Sequence, residues 1–254
     1  MDLDTVDRYL TRIGARRPDT PDIGSLRELH RRHLEAVPFE NLSPYLGEEV
    51  TLDEDTLVDK IVLRRRGGIC YELNGAFALL LTALGYDVRL LGVSVFGEDG
   101  TLSPAFDHMA LLVGLDERYL VDVGFGAHSV YPLRRDWPEA QEDPGGSFLV
   151  VDAPGGDVDV LVDGVPRYRA EPKARRISDF ARPAWWHTHS PESTFRSGPL
   201  CSRAAESGRV TIRGDRLIES VDGERTETTL VGDEDILAAY EKQFGFRPPR
   251  VPTC

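Results

Sequence analysis

At Gly85 the hydrophobic period of this chain changes, and that change limits the fold more than any other feature. Before it, apolar residues recur at helical spacing; after it, they alternate or run in short blocks of strand length. Leu26, Leu29, His33 and Leu34 follow Ser25, a residue suited to an N-cap. Pro38 ends that helix, because the residue before a proline avoids helical angles. A second helix is expected over 52–63, with Asp53 and Asp55 near its N-terminus. The third starts at Cys70, carries Leu73, Phe77, Leu80, Leu81 and Leu84 on one face, and stops at Gly85. From Asp87 the pattern gives short strands at 88–96, 108–113, 119–123, 148–151, 158–162 and 168–170, separated by Pro-Gly-Gly and Asp-Gly turns. Such a series suggests a barrel or a sandwich. Strands at 209–213 and 217–220 and a helix from an Asp233 N-cap through Tyr240 and Phe244 to Gly245 complete an α+β chain.

Composition narrows the class. With 254 residues, 41% of them hydrophobic, the chain can bury a substantial core. No window approaches the roughly 18 apolar residues of a membrane span, and the acidic start Met-Asp-Leu-Asp is unlike a signal peptide, so we expect a cytoplasmic protein with no membrane partner. A net charge of −13 opposes phosphate neutralisation and argues against a nucleic-acid partner. Cys70, Cys201 and Cys254 are widely spaced and odd in number, which fits free thiols in a reducing compartment rather than disulfides or a metal site.

Arg66-Gly67-Gly68-Ile69-Cys70-Tyr71-Glu72-Leu73-Asn74 places one of these thiols in the first turn of a helix, behind a double glycine. A helix N-terminus favours the thiolate, and glycines let a substrate approach the main chain. Cys201 and Cys254 lack both features and read as structural or exposed thiols. A thiol that attacks a carbonyl needs a base and a group that orients the base. His108 opens the apolar strand 109–113, and a short polar link joins it to Tyr119-Leu120-Val121-Asp122-Val123. If these strands form a hairpin whose paired numbers sum to an even value near 230 or 232, His108 and Asp122 share a face; an odd sum separates them. Asp107 would point to the opposite face. The plainer alternative is that His108 caps a strand and Asp122 begins a turn.

The remaining histidines read as structural. His30 and His33 could share a helix face as metal ligands, but no carboxylate or cysteine completes a site by spacing, so packing is expected. His187 and His189 would share a strand face, with the same objection, and His128 reads as a surface loop residue. Arg64, Arg65, Arg175 and Arg176 fit solvated helix ends; the first two could also help an anionic substrate or the thiolate.

Four segments together resemble the arylamine N-acetyltransferases: His30 to Leu42, Arg66 to Asn74, Val121 to Gly126, and Ser190-Pro191-Glu192-Ser193-Thr194-Phe195. The resemblance implies a helical N-terminal bundle over 1–85 carrying the nucleophile, a β-barrel over 86–190 carrying the histidine and aspartate, and an α/β lid over 191–254, around a cysteine-protease-like core. It implies a Cys70, His108, Asp122 triad that passes an acetyl group from acetyl-coenzyme A to a small-molecule arylamine or hydrazine in two half-reactions, without a metal. It also implies that Phe39, Phe125 and Phe195 line the acceptor pocket, and that Arg12, Glu40 and Arg66 form a charged cluster beneath it. Pro104-Ala105-Phe106-Asp107 departs from the glycines and small polar residues expected to contact coenzyme A, so no coenzyme A contact is assigned. An amide synthase of the same fold, closing a macrolactam from a polyketide acyl thioester, would use the same triad. A Cys-His-Asp hydrolase or transglutaminase-like enzyme, or a binding module with an unreactive Cys70, are the more distant readings.

Overall fold

The helix Cys70–Ala83 is the element around which the rest is assembled in a computed structural model of the chain, which describes residues 1–205 and 208–253. Every residue from Cys70 to Ala78 is buried, so all sides of the helix are covered rather than one stripe. Helices Leu3–Ile13 and Ile23–Ala36 pack on it through Val6, Tyr9, Leu10, Leu26 and Leu29. The second of these is capped by Asp22, whose carboxylate accepts the Ser25 N–H at 2.7 Å; the expected cap, Ser25, lies inside the first turn. Val37 ends it in an extended conformation before Pro38, as the sequence predicts.

The helix expected over 52–63 is interrupted. Asp53 caps Glu54–Val58, and Asp59–Leu63 then widens into a π-helical turn that buries Lys60, Ile61 and Val62. The first 85 residues are also not wholly helical: Phe39–Glu40 is a two-residue strand, too short to show a period. It joins the C-terminal sheet through Phe39↔Ser202 and Glu40↔Cys201. Gly67 lies directly against this corner, where a Cβ would sit 1.8 Å from the Pro38 carbonyl oxygen.

The β-rich region is an eight-stranded antiparallel sheet, in the order 133–134, 118–121, 108–114, 87–95, 165–175, 158–162, 146–152, 141–143. It curls almost into a barrel. Its two ends meet through the Gln141 side chain, which accepts the Arg134 N–H at 2.7 Å and donates to the Arg134 carbonyl at 3.0 Å. Leu91, Val93, Leu120, Phe148, Val160 and Tyr168 fill the interior. A second sheet pairs Phe39–Glu40 with strands 200–205, 208–213, 216–221 and 224–229, and the helix Asp233–Phe244 covers it through Ile236, Tyr240 and Phe244. Gly232, at φ 87°, takes the N-cap position expected of Asp233, which instead joins Glu234 and Asp235 in the first turn, where the helix dipole favours acids. His187 and His189 lie on a helix, Ala181–His189, rather than on a strand. Pro183 is tolerated in its first turn, and Ala184 buries against Tyr71 and Phe180. Among the described residues no helix is long and apolar enough to cross a membrane.

Candidate active site

Cys70 is the first residue of its helix, and the head of that helix is fastened from below. The Glu72 carboxylate accepts the Ile69 N–H at 3.0 Å, satisfying a group the helix leaves unpaired, and accepts from Lys60 Nζ at 2.7 Å. Lys60 also donates to Ser43 Oγ at 2.8 Å and stands 3.9 Å from Glu40. Glu40 accepts from Arg66 Nε and Nη2 at 2.9 and 2.7 Å and from the Leu42 N–H at 2.7 Å. This is the charged cluster expected beneath the site, with one change of membership. Arg12 is absent from it and donates to the Arg65 carbonyl instead. Lys60, turned inward by the π-helical turn, holds the place expected of Arg12.

His108 and Asp122 meet as the even register requires. Leu111 pairs with Val121 and Leu112 with Leu120, both sums being 232, so His108 and Asp122 are diagonal neighbours on one face. His108 Nε2 lies 2.7 Å from Asp122 Oδ2, and both groups are buried. Burial disfavours the imidazolium, but the Asp122 carboxylate outweighs it, and a hydrogen bond and charge interaction with Cys70 add to this, raising His108 to about 10. With Nε2 held by Asp122, Nδ1 is the ring nitrogen left for the thiol. Burial likewise opposes the Asp122 carboxylate, yet His108 holds it down at about 2.

Two further residues set this geometry. Asn74, one turn beyond Cys70, donates to the Met109 carbonyl at 2.7 Å and to Asp122 Oδ1 at 2.9 Å, and accepts the Val123 N–H at 3.0 Å. It ties the Cys70 helix to both strands. His30 Nδ1 lies 2.8 Å from the Val130 carbonyl, and its Nε2 faces the Asp122 N–H at 3.3 Å, which fixes the ring as a neutral donor at Nδ1 and acceptor at Nε2. Gly124 completes the fit: a Cβ there would stand 2.7 Å from the Cys70 Cα and 2.8 Å from Asn74 Nδ2. Gly124→Ala is therefore expected to lower stability by about 1–3 kcal/mol through overpacking and to reduce turnover more than tenfold by parting the two elements. Thermal unfolding and initial rates check this; an unaltered rate would refute it.

Phe39, Phe125 and Phe195 surround this centre, each partly exposed. Phe39 and Phe195 touch edge to face at 5.6 Å and pack on the cluster containing Ile69, Cys70 and Tyr71. Phe125 stands edge to face on His108 at 5.1 Å. His128, expected at the surface, is instead only 9% exposed and packs on Phe125, Phe148 and Tyr168 with ring centroids 5.0–5.4 Å apart. Neither of its nitrogens finds a hydrogen-bond partner, nor does the Tyr168 hydroxyl. Burial pushes His128 down to about 4. His187 donates toward Asp107, 3.1 Å from its carboxylate, and packs on Phe195 at 4.8 Å, while His189 stacks on Trp185. Cys201 is fully buried; Cys254 lies outside the described residues.

These histidines pull stability in opposite directions with pH. His108 binds its proton more tightly when folded, so its contribution is complete below the ordinary value of 6.5 and is lost as pH rises through about 10. Burial lowers His30, His33 and His128, so their contribution is present above 6.5 and lost as pH falls, for His128 through about 4. The urea midpoint is expected to peak near neutrality and to fall on both sides. His128→Phe should remove up to about 3 kcal/mol of the acid loss, the 1.36 kcal/mol per pKa unit applied to its shift. A midpoint that kept rising down to pH 4 would contradict this.

Sequence reasoning paired His108 with Asp122 and placed Cys70 at the helix head. It gave no role to Asn74, His30, Lys60, His128 or Tyr168. The i, i+4 spacing of Cys70 and Asn74, which puts both on one helix face, is the signal that was open to it.

Comparison with known proteins agrees with this architecture. The N-acetyltransferase family model matches residues 22–249. The arylamine N-acetyltransferase / N-hydroxyarylamine O-acetyltransferase of Salmonella typhimurium is 32% identical over 246 residues, spanning 93% of this chain and 87% of that protein. Proansamycin X synthase of Amycolatopsis mediterranei is also 32% identical, over 254 residues, 95% of this chain and 97% of its own length. A solved structure of the Salmonella typhimurium arylamine N-acetyltransferase superposes with a TM-score of 0.89 at 30% identity, covering 97% of this chain and 92% of the other. The resemblance first carried by four short segments thus extends over the whole fold, and the chain belongs to the arylamine N-acetyltransferase family.

Proposed function

We propose that this chain moves an acetyl group from acetyl-coenzyme A to an arylamine, arylhydrazine or N-hydroxyarylamine, with Cys70 as the carrier. Cys70 gives its proton to His108 Nδ1 and attacks the thioester carbonyl. The intermediate collapses, His108 returns the proton to the departing coenzyme A thiolate, and an acetyl-cysteine remains. The amine then attacks this second thioester, passes a proton to His108, and leaves as the amide while Cys70 regains its proton. Asp122 keeps Nε2–H occupied so that Nδ1 faces the sulfur, and it stabilises the imidazolium formed in each half-reaction. Phe39, Phe125 and Phe195 supply apolar walls for a flat ring and leave little place for water. Free buried thiols at Cys70 and Cys201 fit a reducing, cytoplasmic setting.

The observation that carries this reading is the buried carboxylate 2.7 Å from an imidazole that faces a thiol at a helix head. Incubation with acetyl-coenzyme A followed by intact-mass measurement tests it: one acetyl group should appear on Cys70 and vanish when an anisidine is added. No adduct and no release of thiol would overturn it, as would full activity in Cys70→Ser.

A second reading, an amide synthase acting on a larger acyl chain, has two observations in its favour. One is the likeness to proansamycin X synthase. The other is an apolar groove of about 760 Å³ between Pro104, Ala105, Pro183, Trp185 and Trp186, separated from Phe195 by His187. Acylation of Cys70 by a bulky aryl thioester at a rate matching acetyl-coenzyme A would favour it.

A further inference from the structure

The C-terminal sheet ends in a free edge. Its last strand, Glu224–Thr229, is exposed at every residue, and among the described residues no strand pairs with its outer side. It follows strand 216–221 through a two-residue turn in which Asp222 and Gly223 both have positive φ, 50° and 84°. A turn of this kind makes its flanking residues, Val221 and Glu224, a hydrogen-bonded pair. The alternation that follows directs the main chain of Glu224, Thr226 and Thr228 inward, and the Leu230 N–H, next in that set, donates to the Asp215 carbonyl at 2.8 Å. Arg225, Glu227 and Thr229 therefore turn their N–H and C=O groups outward, where among the described residues they meet no main-chain partner.

Proteins usually protect such an edge with a bulge, a proline or lysines. This strand keeps its register with 216–221 throughout, has no proline, and carries charges of both signs at Arg225 and Glu227, which share a face. An antiparallel copy can be laid on it with a twofold axis at Thr226. Arg225 of each copy then stands directly opposite Glu227 of the other, and the two exchange both main-chain hydrogen bonds. Thr226 meets Thr226, and Glu224 meets Thr228. Moving the axis by one residue sets Arg225 against Arg225 or Glu227 against Glu227, and like charges directly opposite are destabilising. Moving it to Thr228 leaves Arg225 unopposed within the strand. Charge complementarity thus selects one register. Within a copy Glu227 is already paired with Arg216 and lies 3.5 Å from Arg225, so the contact would join two ion-pair groups into one. Val221 and Val231, 49% and 77% exposed, flank the strand and would come to the same ends of the joined edge.

We propose that strand Glu224–Thr229 binds a second copy of this chain, forming one antiparallel sheet through a twofold axis at Thr226. The contact consumes the free edge of each copy, so it closes at a dimer. It lies at the opposite edge of the sheet from Phe39–Glu40 and leaves the Cys70 site clear. A strand this short buries less than a standard interface, and the net charge of −13 opposes it, so the association is weak and gains from salt that screens long-range repulsion.

Sedimentation velocity at about 0.15 M salt, from about 5 to 500 µM protein, is expected to show a monomer–dimer equilibrium. Glu227→Pro removes an outward N–H, spares the bonds to 216–221, and should raise the dissociation constant about tenfold or more. Arg225→Glu, which sets acid against acid, should do the same. Arg225→Glu combined with Glu227→Arg restores opposite charges in this register and not in its neighbours, and should regain the dimer. Thermal unfolding checks that each variant is folded. A monomer at every concentration overturns the proposal. So does a dimer that Glu227→Pro or Arg225→Glu leaves as tight as in the wild type, or that the exchanged pair fails to regain. Should Glu227→Pro not fold, Arg225→Glu and the exchanged pair decide by the same outcomes.

Discussion

Asp122→Asn is expected to lower kcat/KM for acyl transfer by about 10³–10⁴-fold while leaving the fold in place. The reason is the arrangement of donors around the carboxylate. Oδ1 accepts from Asn74 Nδ2 and the Gly124 N–H, both at 2.9 Å, so an amide in this position must turn its oxygen toward them. Its NH2 then faces His108 Nε2, which becomes an acceptor, and the ring proton moves to Nδ1. That tautomer cannot take the proton of the thiol. The same change removes the charge that raises His108, so the residual activity should titrate at lower pH than in the wild type. Single-turnover acetylation of Cys70, followed by quenched mass measurement across pH, reads both effects. A loss smaller than tenfold would remove Asp122 from the proposed mechanism.

The largest effect on stability is expected from Glu40→Ala, at about 3–5 kcal/mol. Glu40 is fully enclosed and holds both Arg66 and, at 3.9 Å, Lys60. Without it, the buried Arg66 is left with Glu48 alone at 3.1 Å and Lys60 with Glu72 alone at 2.7 Å, so two cations share one fewer buried carboxylate, and the Leu42 N–H loses its acceptor. The strand Phe39–Glu40 is also the seam between the Cys70 region and the C-terminal sheet, so Phe39 should loosen with it. Urea unfolding gives the number, and Arg8→Ala, which removes an exposed pair with Asp4, should cost less than about 1 kcal/mol as the control. A Glu40→Ala loss below that of the control would show that the cluster contributes nothing net.

The parts of the site legible in the sequence are those set by periodicity. The change of period at Gly85, the alternation in 108–113 and 119–123, and the short link between them suffice to put His108 and Asp122 on one face, and the register of 232 agrees. What escaped the sequence depends on contacts between distant segments. His128 looks like a loop residue because nothing nearby in the chain shows that Phe125, Phe148 and Tyr168 will close around it. His187 sits in a helix because Ala184 finds a place against Tyr71 and Phe180, which no local pattern reveals. Lys60 replaces Arg12 beneath the site because of a π-helical turn, and a pattern of apolar residues does not distinguish that turn from an ordinary one.

That wide turn has a consequence for how the chain can change length. A π-helical turn holds one residue more than the α-helical turn it interrupts, and here the extra residue rotates Lys60 toward Ser43 and Glu72. Gaining or losing a single position between Asp53 and Lys60 would swing Lys60 about 100° around the axis and send its ammonium away from the base of the Cys70 helix. Surface loops elsewhere in this fold can absorb insertions and deletions. The stretch from the capping Asp53 to Lys60 is where a change of length would reach the base of the Cys70 helix.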